Sequence, residues 1–560
     1  MTGGGSFFAG FASRARSAAR RARARVVEDR MGSASVGIAV LATVVTVAWP
    51  LLSTRYPPMI DLPMHAAHTS AFRHWFDPAY HFQDQFELQP FSVPYDASYV
   101  LGALFMLVMG VIPAVKLATA IMLLALPVGL GVLAWGMRKS PLSGLMGLPF
   151  VWCGLVHWGF INAASAIGQF ALVIGLALRA VDRPTWRVQV ALAVSLVVLF
   201  FTHVFRFPLG VAGVVAAAVV AWPATRRLRP ALLPLVPSLA LFAVFYVRRP
   251  AALAGGLGSM RVDTSHIRQL GRALVNGFEG MTEGIAAIVF VALLLVVQVA
   301  MAVDWLGARW RARRAARGAA PPAPKRARVL PDPQWFDERF TALVTLVPLG
   351  CAAVCFALFF TLPMMIGVWW YVFPREGVAA VFMLLAALPG LPRARVAQLA
   401  SVIALSVGAL VFAGVQAAGY AEFDRATRDF TRIAAEIPMA PKLLYLVFDT
   451  TGPARRGAPF LHFPAWIQAE KGGWLSFHFA KWGASPLAYR TDPSAVVPPP
   501  TPPRWEWTPT MFDVRQHGAF FDWFLVRSAE EPSRLFRADR TIVPVDHDGT
   551  WWLYRREPAK

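Results

Sequence analysis

Long apolar runs recur along the chain and are separated by short polar or basic segments. A bilayer core about 30 Å thick requires about 20 apolar residues in a helix, and several of the runs approach that length. The candidate spans are residues 34–53, 98–113, 117–136, 143–158, 161–180, 187–204, 207–222, 231–247, 285–304, 341–360, 376–392 and 397–419. The pattern predicts a mainly α fold, a polytopic transmembrane helical bundle with about 11–13 spans.

The segments without a spanning run define the predicted domain organisation. Residues 1–33 are a basic leader, which we expect in the cytoplasm, and residues 34–420 form the transmembrane domain. Within it, residues 54–97 form a polar, aromatic first external loop, and residues 305–340 form a basic cytoplasmic loop. Residues 421–560 are mixed polar and aromatic, with strand-like runs at 442–449, 522–528 and 549–556. They predict a C-terminal external α/β domain.

Positive charge indicates the orientation, because short loops rich in Lys and Arg stay in the cytoplasm. Such segments are the leader, Arg138 with Lys139, Arg226 with Arg227, the 311–328 cluster, and Arg393 with Arg395. This rule places the loop 54–97 and the C-terminal domain outside. Two crossings between residues 98 and 136 would put Arg138 outside, so either one of these spans is re-entrant or the charge rule fails there. Twelve full crossings would also leave the C-terminus inside, so we expect one span to be incomplete.

Composition agrees with a membrane protein and argues against other classes. The chain is 56% hydrophobic and only 15% charged, whereas soluble proteins are about 25% charged. The formal net charge is +22, but the basic clusters flank apolar runs, which indicates topology and contact with anionic lipid rather than nucleic-acid binding. Cys153, Cys351 and Cys355 lie in apolar runs without companion ligands, so they indicate packing. The sequence has no P-loop, dinucleotide-binding glycine motif, nucleophile elbow or HExxH motif.

The first external loop opens with YPPMIDLPMHAAHTSAFRHW, residues 56–75, which holds one carboxylate and several imidazoles. Asp61 follows the first predicted span closely, so we expect it at the membrane surface. A carboxylate there can act as a general base, bind a divalent cation or accept hydrogen bonds from sugar hydroxyls. The alternative is a helix cap, since Asp before Leu-Pro is a common helix start.

His65 and His68 lie four and seven residues after Asp61, on one face of the predicted helix. A zinc site would require a more definite set of ligands. We therefore predict substrate hydrogen bonding or packing for both histidines, and no metal ligation.

Further polar side chains interrupt or end the apolar runs. They are His157 and Asn162 in HWGFIN, His203 and Arg206 in THVFRF, and Arg375 and Glu376 in FPREG. Polar groups within a span face the bundle interior or a cavity, and a forked guanidinium at the bilayer surface suits a phosphate or diphosphate. We predict all six as substrate-binding. The alternatives are a snorkelling Arg206 and an anchoring pair formed by Arg375 and Glu376.

Four features together resemble the GT-C superfamily of polytopic membrane glycosyltransferases. An Asp lies in the first external loop, in YPPMIDLPMHAAH, and HWGFIN enters an apolar helix in mid-chain. An Arg after an external segment opens a proline-containing span in FPREGVAAVFMLLAALPGLP, and the C-terminal domain ends in the strand-like WWLYRR. The motifs are short, so the resemblance is to the superfamily, which includes mannosyltransferases and arabinosyltransferases. It identifies no particular member.

The resemblance implies an EC 2.4-class enzyme of the inner membrane with its active site on the periplasmic face. Its partners would be a polyprenyl-phosphate-linked sugar donor, membrane lipid, and a glycan, lipid or protein acceptor of the cell envelope. By the same resemblance, Asp61 is the catalytic base or a metal-associated acid, and Arg375 contacts the lipid phosphate. A divalent cation, Mg²⁺ or Mn²⁺, at Asp61 stays open, although no second acid stands beside it.

Two other readings of the sequence stay open. A secondary transporter of a polar or anionic solute would show internal repeats and ionisable groups at mid-bilayer, whereas the polar residues here cluster at span ends. A non-catalytic GT-C-like membrane protein would keep the architecture without the chemistry. The pattern WWDxG of oligosaccharyltransferases is missing, since WWYVF carries no acid, which argues against protein N-glycosylation.

Overall fold

The computed structural model describes residues 30–89, 93–249, 260–275, 280–318, 333–452, 457–483 and 485–558. Most of the predicted basic leader and residues 319–332 of the predicted basic loop lie outside these ranges. In the described part, the chain forms a helical membrane bundle followed by a smaller domain that contains a mixed sheet.

The bundle consists of helices joined by short turns. They are α1 Arg30–Leu52, α2 Leu62–Arg73, α3 Ala97–Phe105, α4 Val111–Gly136, α5 Ile161–Asp182, α6 Trp186–Thr202, α7 Arg206–Thr225, α8 Val236–Arg248, α9 Ile267–Val275, α10 Met281–Gly318, α11 Pro333–Val344, α12 Leu346–Thr361, α13 Val372–Ala387 and α14 Arg395–Arg425. A 3-10 segment, Pro141–Trp152, and a helical turn, Gly154–His157, lie between α4 and α5.

Eight helical stretches of the described chain are long and apolar enough to cross a membrane, and the protein is an integral multi-pass membrane protein. The 3-10 segment, α6 and α13 are shorter and run between the same two ends of the bundle. A 3-10 helix rises about 2.0 Å per residue, so the segment from Pro141 to Trp152 extends further than an α-helix of equal length. Among the residues that the structure describes, the eight long stretches and the three shorter ones make eleven passes.

Hydrogen bonds between helix ends sort those ends into two groups. At one end, which we call the basic end, Arg138 pairs with Asp182 at 2.6 Å and Lys139 Nζ donates to the carbonyls of Ala386 and Leu388 at 2.8 and 2.7 Å. At the other, which we call the site end, Ile60 N–H donates to His157 O at 3.0 Å and Lys116 Nζ to Thr54 O at 2.7 Å. Consecutive passes therefore alternate in direction.

The predicted span 98–113 is wrong. α3 has nine residues, Ala97–Phe105, and at 1.5 Å per residue it reaches about 14 Å, too short for the bilayer core. The chain then turns at Gly110 and restarts as α4, with Pro113 in the first turn, where a proline is tolerated. Apolar composition continues through this turn, which is why the pattern indicated a span. With α3 confined to the site end, Arg138 and Lys139 lie at the basic end and the predicted conflict disappears.

The C-terminal domain contains the helices α15 Arg428–Glu436 and α16 Ala465–Lys471. The strands of the chain are β1 Phe86–Leu88, β2 Met365–Ile366, β3 Trp369–Trp370, β4 Lys442–Val447, β5 Trp474–Leu475, β6 Leu487–Tyr489, β7 Trp523–Arg527, β8 Ile542–Asp548 and β9 Trp551–Arg556. Five of them form one sheet in the order β5-β4-β7-β9-β8, with β5, β4 and β7 parallel and β9 antiparallel to β7 and β8.

The loop 54–97, where the structure describes it, and the C-terminal domain are joined into one body at the site end. β1 of that loop pairs antiparallel with β6, with Phe86 opposite Tyr489. Tyr56 packs against the rings of Phe463 and Trp466, and Arg55 N–H donates to Asp424 Oδ1 at 2.6 Å. The start of α2, where Asp61 lies, is therefore covered by the C-terminal domain.

Candidate active site

Backbone contacts fix the position of Asp61, and its carboxylate makes no capping hydrogen bond to the helix that follows. Asp61 N–H donates to Trp158 O at 3.1 Å, and Gly159 has φ +88 and packs so closely that a Cβ there would lie 2.8 Å from Asp61 N. Asp61 occupies the N-cap position of α2, but its carboxylate accepts no capping hydrogen bond. The helix-cap alternative therefore does not account for this side chain.

The surroundings of Asp61 favour its protonated form. The side chain is 16% exposed, and burial raises the pKa of Asp61 to about 7, an effect that Arg375 opposes and Glu506 reinforces. A buried carboxylate in low dielectric holds its proton more tightly than one in water. Asp61 is thus a carboxyl group that exchanges a proton near neutral pH, as a general base requires.

Arg375 packs against Phe160, in the turn whose Trp158 carbonyl accepts the backbone N–H of Asp61. Its guanidinium lies 4.3 Å from the centroid of Phe160, which stacks on Trp158, and its Nη2 donates to Trp370 O at 2.8 Å. Arg375 acts electrostatically on Asp61. The structure therefore brings these two predicted residues to one place at the site end.

Three buried polar atoms around Arg375 have no hydrogen-bond partner within the described residues. They are Arg375 Nε, His203 Nε2 and Tyr95 Oη. Tyr95 stacks on Trp369 and meets His203 edge-on, with centroids 5.1 and 5.3 Å apart. Buried polar atoms normally have partners, so this group is suited to an anionic ligand that accepts several hydrogen bonds.

Arg206 and Glu376 bind each other. Arg206 Nη1 and Nη2 each lie 2.8 Å from an oxygen of Glu376, and both side chains are largely buried. This two-pronged ion pair joins the start of α7 to the start of α13. Because their polar atoms are engaged within the protein, we assign them a structural role in place of the predicted substrate contact. The alternatives of a snorkelling arginine and an Arg375–Glu376 pair do not describe these contacts either.

The two histidines after Asp61 have different surroundings. His65 Nδ1 hydrogen-bonds to Tyr99 Oη at 2.8 Å, and His65 lines a cavity of about 20 Å³, enough for one water molecule. Burial, and to a smaller extent the neighbouring His68, lowers the pKa of His65 to about 3, so the ring is neutral at pH 7. His68 is fully buried and bonds Met64 O and Ser485 Oγ. His68 therefore packs the C-terminal domain onto α2, and its substrate contact stays a prediction.

His157 and Asn162 lie at the two ends of the turn whose carbonyl groups accept the backbone N–H groups of Ile60 and Asp61. The carbonyl of His157 accepts from Ile60 N–H, and its ring packs between Trp152 and Tyr420. Asn162 lines the same small cavity as His65, and its Oδ1 is buried without a hydrogen-bond partner in the described chain. His157 thus positions Asp61, whereas Asn162 keeps a polar atom for a ligand or a water.

The residues around Asp61 do not fit a resident metal. In the part of the chain that the structure describes, no three His, Cys, Asp or Glu side chains gather closely enough to hold an ion. Mg²⁺ and Mn²⁺ prefer several oxygen ligands, and Asp61 brings one carboxylate. No step below passes through a cation.

The C-terminal domain supplies residues that the sequence did not indicate. His462 Nε2 lies 3.6 Å from Asp61 Oδ1, and the charge of Glu506 acts on the same carboxylate. Neither stands in a motif, and both lie in the segment 421–560, which carries no spanning run. The sequence around His462, PFLHFPAW, shows a histidine between aromatic residues, a pattern that is equally typical of a packed loop and so did not indicate a site residue.

The structure was compared with known proteins. ArnT from Cupriavidus metallidurans bound to undecaprenyl phosphate superposes with a TM-score of 0.53 and 14% identity, over 94% of this chain and 98% of that one. The apo state of the same ArnT gives the same score and identity over 95% of this chain and 98% of that one. The chain therefore has the fold of ArnT. No protein-family model and no curated protein matches the sequence.

The ArnT-like fold confirms the predicted architecture of a membrane helical bundle followed by a C-terminal domain. The match extends over nearly the whole length of both chains, so it includes the membrane bundle and the C-terminal domain. In this fold, the first loop, the segment before α13 and the C-terminal domain converge at the site end, which explains why Asp61, Arg375 and His462 meet.

Proposed function

We propose that the protein is a membrane glycosyltransferase that moves a sugar from a polyprenyl-phosphate donor to a hydroxyl of an envelope glycan, lipid or protein. The observation that carries this proposal is the convergence of Asp61 and Arg375 at one place at the site end. The ArnT structure with undecaprenyl phosphate supports the choice of a lipid-phosphate donor.

The proposed reaction is an inverting transfer. The acceptor oxygen attacks the anomeric carbon and passes its proton to Asp61, while the bond from that carbon to the phosphate oxygen breaks and its electron pair stays on the phosphate. The polyprenyl phosphate leaves as an anion and needs no proton. Arg375, with Tyr95 and His203, stabilises the charge that develops there.

The proposed orientation places the basic end in the cytoplasm and the site end outside the inner membrane. Arg138, Lys139, Arg227 and Arg393 lie at the basic end. Positive charge at short loops favours the cytoplasmic side. The donor would therefore be used on the outer face, with its polyprenyl chain in the bilayer.

The test is Asp61→Asn in a producing strain, with Asp84→Asn as the matched control. Asp84 is an exposed carboxylate of the same loop that pairs with His81 at 2.7 Å. Loss of a general base lowers the rate by about 10²–10⁴-fold, so we expect the envelope glycans to lose the transferred sugar in the Asp61 variant alone. Unchanged glycans at normal protein level would refute the proposal. Lost solute uptake with unchanged glycans would favour a transporter.

A further inference from the structure

The C-terminal domain places one imidazole ring against Asp61 in a fixed orientation. His462 is 5% exposed at its side chain, and its Nε2 lies 3.6 Å from Asp61 Oδ1. Its ring stacks on Phe477, with centroids 5.4 Å apart, and meets Phe479 edge-on at 5.2 Å. The two aromatic contacts fix the ring plane, so Nε2 stays directed at the carboxylate.

The surroundings of His462 indicate which nitrogen carries the proton. Nδ1 is buried without a hydrogen-bond partner in the described residues. Buried N–H groups without an acceptor are rarer than buried acceptors without a donor, so the favoured tautomer has its proton on Nε2. Burial, and then His65, lowers the pKa of His462 to about 3, so the ring is neutral at pH 7.

The loop that carries His462 is packed onto the backbone neighbours of Asp61. Ala458 and Leu461 form an apolar cluster with Ile60, against which Trp158 packs. The residues immediately before Asp61 and before His462 therefore share one cluster. The loop is tied to the sheet as well, since Phe460 N–H donates to Thr450 O at 3.1 Å and the Arg527 guanidinium lies 3.8 Å from the Phe460 ring.

We propose that His462 is a positioning residue for Asp61, and that the C-terminal domain thereby completes the active site. Its Nε2 lies 3.6 Å from Oδ1, beyond hydrogen-bond length, and from there the N–H dipole stabilises the carboxylate anion, which leaves Oδ2 to take the proton of the acceptor hydroxyl. The inference rests on the proposed function and deepens it. The charged and titratable groups that act on or lie beside Asp61 are Arg375, Glu506, Tyr99 and His462, and His65 in turn acts on His462.

The experiment measures the protonation of Asp61 without using its activity. Dicyclohexylcarbodiimide modifies protonated carboxyl groups in apolar surroundings, and mass spectrometry of the Asp61 peptide gives the modified fraction at each pH. The purified full-length protein in detergent is compared with three variants. His462→Phe keeps the stacking on Phe477 without a donor, His462→Gln restores an N–H, and His478→Gln changes a buried histidine that stacks on His68.

We expect the modified fraction of the unaltered protein to fall as the pH rises, with a midpoint near pH 7, because the pKa of Asp61 is about 7. The Phe variant should shift this midpoint upwards, by up to about one pH unit, because the carboxylate loses the N–H dipole that lies 3.6 Å from Oδ1. The Gln variant at 462 and the His478 variant should keep the original midpoint. Where the Phe variant does not accumulate, His462→Leu takes its place.

A midpoint in the Phe or Leu variant equal to that of the His478 variant would overturn the inference, whatever the transfer activity. In a transfer assay, the same shift should appear in the pH profile of kcat, with KM for the donor little changed. A protein in which Asp61→Asn leaves the glycans unchanged refutes the proposed function instead, and the carbodiimide result is independent of that outcome.

Discussion

At the scale of single residues, Asp61 acquires its chemistry from side chains far away in the chain. Its position after the first span could be predicted from the sequence, and so could the guanidinium of Arg375. The pKa of Asp61 could not, because it depends on burial beneath the C-terminal domain and on the charges of Arg375 and Glu506. A motif records neighbours along the chain, whereas burial and charge act through space.

One consequence is a pH dependence of transfer. Asp61 accepts a proton only as the carboxylate, and burial raises its pKa to about 7. We therefore expect kcat/KM to rise with pH up to about 7 and to level off above it, falling about tenfold per unit below it. Initial rates between pH 5.5 and 9, with a lipid-phosphate-linked sugar donor, check this. A flat profile through pH 7 would contradict the assignment of Asp61 as base.

A second consequence concerns stability. A carboxyl group whose pKa is raised by folding binds its proton more tightly in the folded state, so its stabilising contribution is present at low pH and lost as pH rises through about 7. Asp61→Asn removes the buried charge. At pH 8 we expect the variant to be more stable than the unaltered protein by about 2–4 kcal/mol and so to unfold at a higher temperature. At pH 5, closer to the pKa of the unfolded chain, the difference should be clearly smaller.

Thermal unfolding in detergent at both pH values measures this difference. Asp84→Asn, in which an exposed carboxylate changes, should leave the unfolding temperature unaltered at each pH. Equal unfolding temperatures for the Asp61 variant and the unaltered protein at pH 8 would mean that the charge is solvated.

At the scale of elements, the bundle depends on close contact between α4 and α5. A Cβ at Gly168 would overlap the backbone of Ala125, and one at Gly175 would lie 2.5 Å from Val132 O. On α4, Gly129 and Gly136 lie against Gly168 and Gly175 in the same way. Small residues at a repeated spacing let two membrane helices approach until their backbones touch.

We expect Gly168→Ala to destabilise the protein because the obstacle is backbone, which yields only if the helices move apart. Overpacking of this kind costs about 1–3 kcal/mol. Gly350→Ala on α12 is the matched control, since nothing lies within 4 Å of a Cβ there. Thermal unfolding should give a lower midpoint for the first variant and an equal or higher one for the second. Equal midpoints for both would show that α4 and α5 are not in backbone contact.

The sequence predicted the elements best where local pattern decides. The long spans follow from apolar length, and the strand-like runs at 442–449, 522–528 and 549–556 correspond to β4, β7 and β9, the centre of the sheet. The prediction failed at α3, because apolar residues continue through the turn at Gly110. The pairing of β1 with β6 was not foreseen either, since their partners lie far apart in sequence and pairing depends on the fold.

At the scale of the whole molecule, the short basic turns and the candidate active site lie at opposite ends of the bundle. The basic end carries the arginines and lysines of short turns, and the site end carries Asp61, Arg375 and the C-terminal domain. The eleven passes are consistent with this separation, because an odd number puts the N-terminal side and the C-terminal domain on opposite faces. The proposed mechanism needs this arrangement, since the donor phosphate must meet Arg375 on the face where the acceptor lies.

Cysteine labelling tests the orientation. Cys153, Cys351 and Cys355 are free and lie within the bundle, so they are replaced by alanine to remove background. A single cysteine is then introduced at exposed Glu531 in the C-terminal domain or at exposed Arg183 beside the basic end. Short basic loops favour the cytoplasmic side. We therefore expect a membrane-impermeant maleimide to label Glu531→Cys in spheroplasts and Arg183→Cys only after permeabilisation. The reverse pattern would put Asp61 in the cytoplasm and exclude transfer on the outer face.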